Sequence, residues 1–123
     1  MKYLCLCYHD EQVIDGLSQA DWAEMMDETM SYLDTLKESG QLVDARPLQS
    51  VRNATSVRVR NDRITTTDGP FAETKEQLGG YFMVEARDLN EAIQIAAKWP
   101  GARNGTVEVR PVDEGLKMEG RFK

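Results

Sequence analysis

Residues 2 to 8 read Lys-Tyr-Leu-Cys-Leu-Cys-Tyr, and no other stretch restricts the fold as much. Side chains on a strand alternate between its two faces. Tyr3, Cys5 and Cys7 therefore share one face and Leu4, Leu6 and Tyr8 the other. Both faces are apolar or aromatic, so a strand of this kind needs cover on both sides. A layer of helices supplies one cover, and the rest of the chain has to be searched for the second.

The remaining pattern predicts which elements are available. Ser18, with Asp21 three residues on, reads as a helix N-cap. Trp22, Met25, Met26, Thr29, Met30, Leu33 and Leu36 follow at helical spacing, which predicts an amphipathic helix to about Ser39 with these residues in the core. Gly40 suits the left-handed position that ends it. Gln41 to Leu48 reads as a second strand. Thr55 to Arg60 and Arg63 to Thr67 read as a hairpin joined by Asn61-Asp62, which tolerate the positive φ of a tight turn. Tyr81 to Ala86 is the fifth strand. Asp88 with Glu91 repeats the capping pattern ahead of a helix through Leu89, Ala92, Ile93, Ile95, Ala96 and Trp99, stopped by Pro100-Gly101. Thr106 to Val112 is the last strand. The division expected is a domain over residues 1–112 and a polar tail over 113–123.

With the hairpin set aside, the order is βαββαβ, the ferredoxin-like α+β pattern. Its helices cover one sheet face. The economical cover for the far face of the first strand is a second copy, sheet facing sheet, so the expectation is a homodimer in the form of a dimeric α/β barrel.

The 123 residues suit one domain, and 41% hydrophobic with 29% charged residues is a globular balance. A net charge of −6 argues against nucleic acid and anionic membrane surfaces as partners. Arg46, Arg52, Arg58, Arg60 and Arg63 read as edge-guarding charge on and near the hairpin. No apolar run approaches the ~20 residues of a membrane span. The N-terminal segment reads as a strand rather than a signal peptide, and a cytoplasmic location follows as the expectation.

In this topology the loop from Asp68 to Gly80 lies at the same end of the sheet as the C-terminus of the first strand. That end gathers Tyr8, His9 and Asp10 with the loop residues. Asp68, His9 and Glu73 are the acid–base candidates. Tyr8, Asp10, Gly69, Pro70, Phe71, Lys75 and Gly80 are candidate ligand contacts. Asp68 also reads as a turn aspartate accepting backbone N–H groups, Phe71 as an anchor to the core or to a partner subunit, and Gly80 as a site of close strand approach. No metal site is expected from Cys5, Cys7 and His9. They share a strand face, but same-face neighbours stand ~6.6 Å apart, too far for three to meet on one ion. No cofactor fingerprint is present, and the two cysteines read as reduced core thiols.

The run Thr67-Asp68-Gly69-Pro70-Phe71-Ala72-Glu73-Thr74-Lys75-Glu76-Gln77-Leu78-Gly79-Gly80-Tyr81 resembles the hallmark of the DGPF branch of the YCII-related proteins. "MKYLCLCY", "RPLQS" and "GTVEVRPV" fit the same family. The resemblance implies a ferredoxin-like fold paired into a dimeric barrel, in bacterial proteins often found beside extracytoplasmic-function sigma factors. Many YCII relatives carry a histidine in the first helix that pairs with an aspartate; here the Trp22–Ser39 helix has none, and His9 stands at a strand end. What carries over is the loop: Asp68, Gly69, Pro70, Phe71, Glu73, Lys75 and Gly80. Two functions follow as expectations. The first is a small-molecule cleft at the sheet end, with or without acid–base chemistry. The second is a non-catalytic regulatory module acting with a sigma factor.

Overall fold

A computed structural model describes residues 1–116. Residues 117–123, most of the expected polar tail, lie outside the described residues. The elements in order are β1 (Lys2–His9), α1 (Glu11–Asp15), α2 (Gln19–Glu38), β2 (Leu42–Pro47), β3 (Thr55–Arg60), β4 (Arg63–Asp68), β5 (Gln77–Glu85), α3 (Leu89–Ala97) and β6 (Thr106–Pro111). Single 3-10 turns occupy Val51–Asn53 and Pro100–Arg103.

Four strands form an antiparallel sheet in the order β2-β5-β1-β6. That is the strand order of a ferredoxin-like α+β arrangement. β3 and β4 form a separate two-stranded sheet. Asn61 and Asp62, with φ of 52° and 62°, make the tight turn between them.

Local chemistry sets the helix starts. The Ser18 side chain accepts from the Asp21 N–H at 3.1 Å, and Asp88 accepts from the Glu91 N–H at 2.9 Å. Each satisfies one of the amides that a helix N-terminus leaves without a partner. Gly40, at φ 76°, ends the turn after α2.

The core lies between the sheet and the two long helices. Tyr3 and Cys5 of β1, Phe82 and Val84 of β5, Ala86 just after it, Leu36 of α2, and Ala92 and Ile95 of α3 are its buried members. Trp99 stacks on Phe82 at 4.4 Å and meets Tyr32 edge-on at 6.4 Å. The Tyr32 hydroxyl donates to the Ile95 carbonyl at 2.6 Å, tying α2 to α3. The core therefore uses the C-terminal half of α2, where Tyr32 and Leu36 stand. Trp22 and Met30, expected in the core, are 47% and 53% exposed. Helical spacing identifies an apolar stripe but does not say how much of it the sheet reaches, and Trp99 takes the central position against Phe82 instead.

β1 has the two faces its sequence requires. Tyr3 and Cys5 are buried under the helices. Leu4, Leu6 and Tyr8 lie on the other face beside Met83, Tyr81 and Leu78, the residues opposite them on β5. All six are half-buried by their neighbours in the sheet. Asp44 and Arg46 of β2 and Glu108 and Arg110 of β6 border them, through the pairs Asp44↔Met83, Arg46↔Tyr81, Leu6↔Glu108 and Leu4↔Arg110. Among the described residues no helix is long and apolar enough to cross a membrane.

Candidate functional site

β1 and β2 both run antiparallel to β5, so their C-terminal ends lie beside its start. The segments 48–54 and 69–76 meet there. Between them is a cleft of about 560 Å³, walled by Tyr8, Leu48, Val51, Ala54, Pro70, Phe71 and Leu78, with Gln49, Ser50, Asn53, Thr74 and Gln77 as its polar groups. A second cavity of about 410 Å³ is bounded by Arg52, Gly69 and Glu73, and shares Val51, Pro70, Thr74 and Gln77 with the first. The shared residues form a common wall between an apolar compartment and a charged one.

A small set of hydrogen bonds builds that wall. The Gln77 side chain accepts from the Glu11 N–H at 3.0 Å and donates to the Thr74 carbonyl at 2.6 Å. The Glu11 carboxylate in turn accepts from the Val51 N–H at 3.2 Å. α1, the loop and the 3-10 turn are thus joined through two side chains. Ser50 caps the 3-10 turn by accepting from the Arg52 N–H at 3.1 Å. The Leu48 N–H donates to the Gly79 carbonyl at 2.9 Å, and the Gly69 N–H to the Ala54 carbonyl at 2.7 Å. The Ser56 hydroxyl donates to the Gly69 carbonyl at 2.8 Å. Gly69 holds φ at 96°, a conformation that favours glycine, and it turns the chain out of β4 into the loop.

The residues singled out in the sequence divide into groups. Tyr8, Pro70 and Phe71 line the larger compartment, and Gly69, Pro70 and Glu73 the smaller. Asp10 caps α1, accepting from the Gln12 N–H at 2.9 Å. His9 borders neither cavity; its ring lies over Gly79, where a Cβ would come within 2.0 Å of Cε1. Asp68 ends β4 opposite Thr55, exposed, and its carboxylate has no hydrogen bond among the described residues. Lys75 is exposed on the loop. Gly80 is buried within β5, and a Cβ there would meet the Arg46 carbonyl at 2.8 Å and the Pro47 Cα at 3.2 Å, so it serves the approach of β2. Of the three acid–base candidates, Glu73 alone stands beside a cavity. Phe71 is 82% exposed and makes no core anchor in this chain.

Sequence reasoning missed Glu11, Leu48, Val51, Gln77 and Leu78. Gln77 and Leu78 belong to β5, which begins four residues before the expected start at Tyr81 because Gly79-Gly80 continue the strand.

The thiols and phenols carry the resolved electrostatic shifts. Burial pushes Cys5 up to about 11. Burial, then the charge of Cys5, pushes Cys7 to about 12. Burial, again with the charge of Cys5, takes Tyr32 to about 12. Tyr81, on the open sheet face, is raised by its hydrogen bond to Asp44 at 3.1 Å. Among the described residues no group of three or more His, Cys, Asp or Glu is placed to hold a metal ion.

Three comparisons bear on this arrangement. The YCII-related domain matches residues 1–115. An uncharacterized protein of Rhizobium meliloti (strain 1021) is 33% identical over 114 residues, covering 91% of this chain and 92% of that protein. Among solved structures, the 5-chloro-2-hydroxyhydroquinone dehydrochlorinase of Burkholderia phenoliruptrix AC1100, in complex with 2,5-dihydroxybenzoquinone, superposes with a TM-score of 0.57. It is 13% identical, with 92% of this chain and 94% of that one covered, so the likeness is one of fold.

Proposed function

The chain belongs to the YCII-related domain family, and on that premise we propose that it binds a small, flat, largely apolar molecule in the cleft beneath the 69–76 loop. The observation that carries this reading is the cleft wall. Its volume of about 560 Å³ falls inside the range of roughly 300–1,000 Å³ typical of small-molecule sites. Its composition is also of that kind, with apolar surface from Tyr8, Leu48, Pro70, Phe71 and Leu78 and a few polar groups able to orient a ring. The dehydrochlorinase of similar fold holds a dihydroxylated quinone, which makes hydroxylated six-membered rings the first class to try. Glu73 and Arg52 line the adjoining smaller compartment, so proton transfer by Glu73, with Arg52 to stabilise developing negative charge, requires a ligand that extends past the shared residues Val51, Pro70, Thr74 and Gln77.

The same reading takes two copies of the chain, sheet facing sheet. The half-buried face of Leu4, Leu6, Tyr8, Tyr81 and Met83 is the surface that supports it. A second reading, a non-catalytic regulatory module acting with an extracytoplasmic-function sigma factor, is favoured by one specific observation: neither α1 nor α2 contains a histidine. Co-purification with a neighbouring sigma factor supports that reading, and failure of the two to associate removes it.

The test of the binding reading is a thermal-shift screen across phenols, quinones and aromatic acids. Binding at ten times Kd stabilises by about 1.4 kcal/mol, which in a domain this size raises Tm by roughly 5 °C. The expected result is a compound that stabilises the wild type and not Tyr8→Ala or Leu78→Arg. A panel with no stabilising compound, or a shift that survives both substitutions, overturns the reading.

A further inference from the structure

We infer that the β3–β4 hairpin is an arm that docks on α2 of a second copy of this chain. The inference rests on the paired-copy part of the reading above and extends it to an element that the sheet-to-sheet contact leaves unused.

The hairpin is built as a projection. Its base is pinched shut by the Gly69 N–H to Ala54 carbonyl bond. Beyond that point β3 and β4 pair along their full length with each other, and both lie outside the four-stranded sheet. An isolated two-stranded ribbon is marginal in water and needs a surface to lie on. The register Val57↔Thr66 and Val59↔Ile64 puts the two valines and the isoleucine on one face. They are 63%, 56% and 76% exposed. The opposite face carries Arg58, Arg60 and Arg63, through Arg58↔Thr65 and Arg60↔Arg63. None of the three has a carboxylate partner among the described residues.

α2 is the complement in both respects. It exposes Trp22 and Met30, two turns apart on one stripe with Met26 between them. The same helix, Gln19–Glu38, carries six carboxylates and a single lysine. Reach is sufficient. Six-residue strands extend about 20 Å. Facing sheets lie ~10 Å apart, and a helix is about 10 Å across. An arm of that length, if it rises on the open side of its own sheet, is long enough to span the partner's sheet and reach the helices behind it. The apolar face of the ribbon makes the contact. The arginine row, a strand's thickness away, lies close enough to the carboxylates of α2 to steer the approach before salt screens it, over ~8 Å at physiological ionic strength. A closed two-fold pair satisfies both arms with one geometry.

The experiment is sedimentation equilibrium on the wild type and three sets of variants, with circular dichroism to verify folding. The first set excises residues 55–68 and joins Ala54 to Gly69 through a two-residue turn, which the pinched base permits. The second is Val57→Asp with Ile64→Asp, and the third is Trp22→Ala with Met30→Ala. Each set is expected to weaken dimerisation at least tenfold while circular dichroism stays native. If the wild type dimerises and the arm variants dimerise equally well, the arm has no such role, and the sheet-to-sheet pairing stands without it. If the arm variants weaken the dimer and the α2 variants do not, docking on α2 is overturned. A wild type that stays monomeric at micromolar concentration overturns the inference and the paired reading together.

Discussion

Cys5 and Cys7 are held protonated by their surroundings. From an ordinary value of 9.0, burial takes Cys5 to about 11, and burial with the charge of Cys5 takes Cys7 to about 12. Tyr32, whose hydroxyl is committed to the Ile95 carbonyl, moves from 10.0 to about 12. Above pH 9 the unfolded chain releases thiol protons that the folded chain still keeps, so stability falls as pH rises from about 9 through 11–12 and is insensitive to these groups below 9. Urea midpoints at pH 8 and 10.5 are expected to show that fall, with Cys5→Ala/Cys7→Ala giving a flatter profile and thiol reagents reacting slowly at pH 8 until the chain unfolds. Equal midpoints at the two pH values would contradict the account. Individual residues were legible in the sequence wherever their role is local. Ser18 and Asp88 cap helices because a short oxygen-bearing side chain does so wherever a helix starts. Gly80 shows where that stops: its sequence position allowed either a ligand or a strand to approach, and only the register with Arg46 and Pro47 decides for the strand.

Among the elements, α1 was the one that periodicity could not reveal. Five residues, Glu11–Asp15, are too few to display a helical repeat, so in sequence Asp10 looks like a ligand contact rather than the helix cap that it is. Yet α1 positions the site, because the Glu11 backbone and carboxylate bind Gln77 and Val51. Gln77→Ala removes the acceptor for the Glu11 N–H and the donor to Thr74 together. Each lost bond costs on the order of 1 kcal/mol, and Asp10→Ala about the same through the lost cap. Gln77→Ala and Glu11→Ala are expected to be non-additive, since both release the same wall. Chemical denaturation measures the cost. Hydrogen exchange of the 69–76 amides measures the release, and unchanged exchange in Gln77→Ala would show that the loop is held by something else. The fold's longer elements were readable because their caps, turns and alternation agree. The site was readable only in outline, since its walls come from three segments distant in sequence whose meeting is a property of topology.

At the scale of the whole molecule, the two faces of β1 and β5 make different physical demands, and substitution can separate them. Phe82 is fully buried and stacked on Trp99. Truncation of such a residue to alanine removes its transfer free energy and leaves a cavity, about 3–5 kcal/mol, a large share of the roughly 5–15 kcal/mol that holds a domain together. Leu6 lies on the same sheet but on the other face, half-buried beside Tyr81 and Glu108. In a single chain its side chain borders water, so Leu6→Asp costs the protomer little. Between two facing sheets the same carboxylate is trapped without a partner and costs several kcal/mol per copy. Phe82→Ala is therefore expected to lower the protomer's own stability at any concentration. Leu6→Asp should leave that stability within about 1 kcal/mol and abolish association. Denaturant midpoints measured over a hundredfold range of protein concentration separate the two, because only an associating chain has a midpoint that rises with concentration. The wild-type midpoint should rise and the Leu6→Asp midpoint should not. A wild-type midpoint independent of concentration would mean that the exposed half of β1 needs no second copy, and that the ring of half-buried apolar side chains around Leu6 is cover enough.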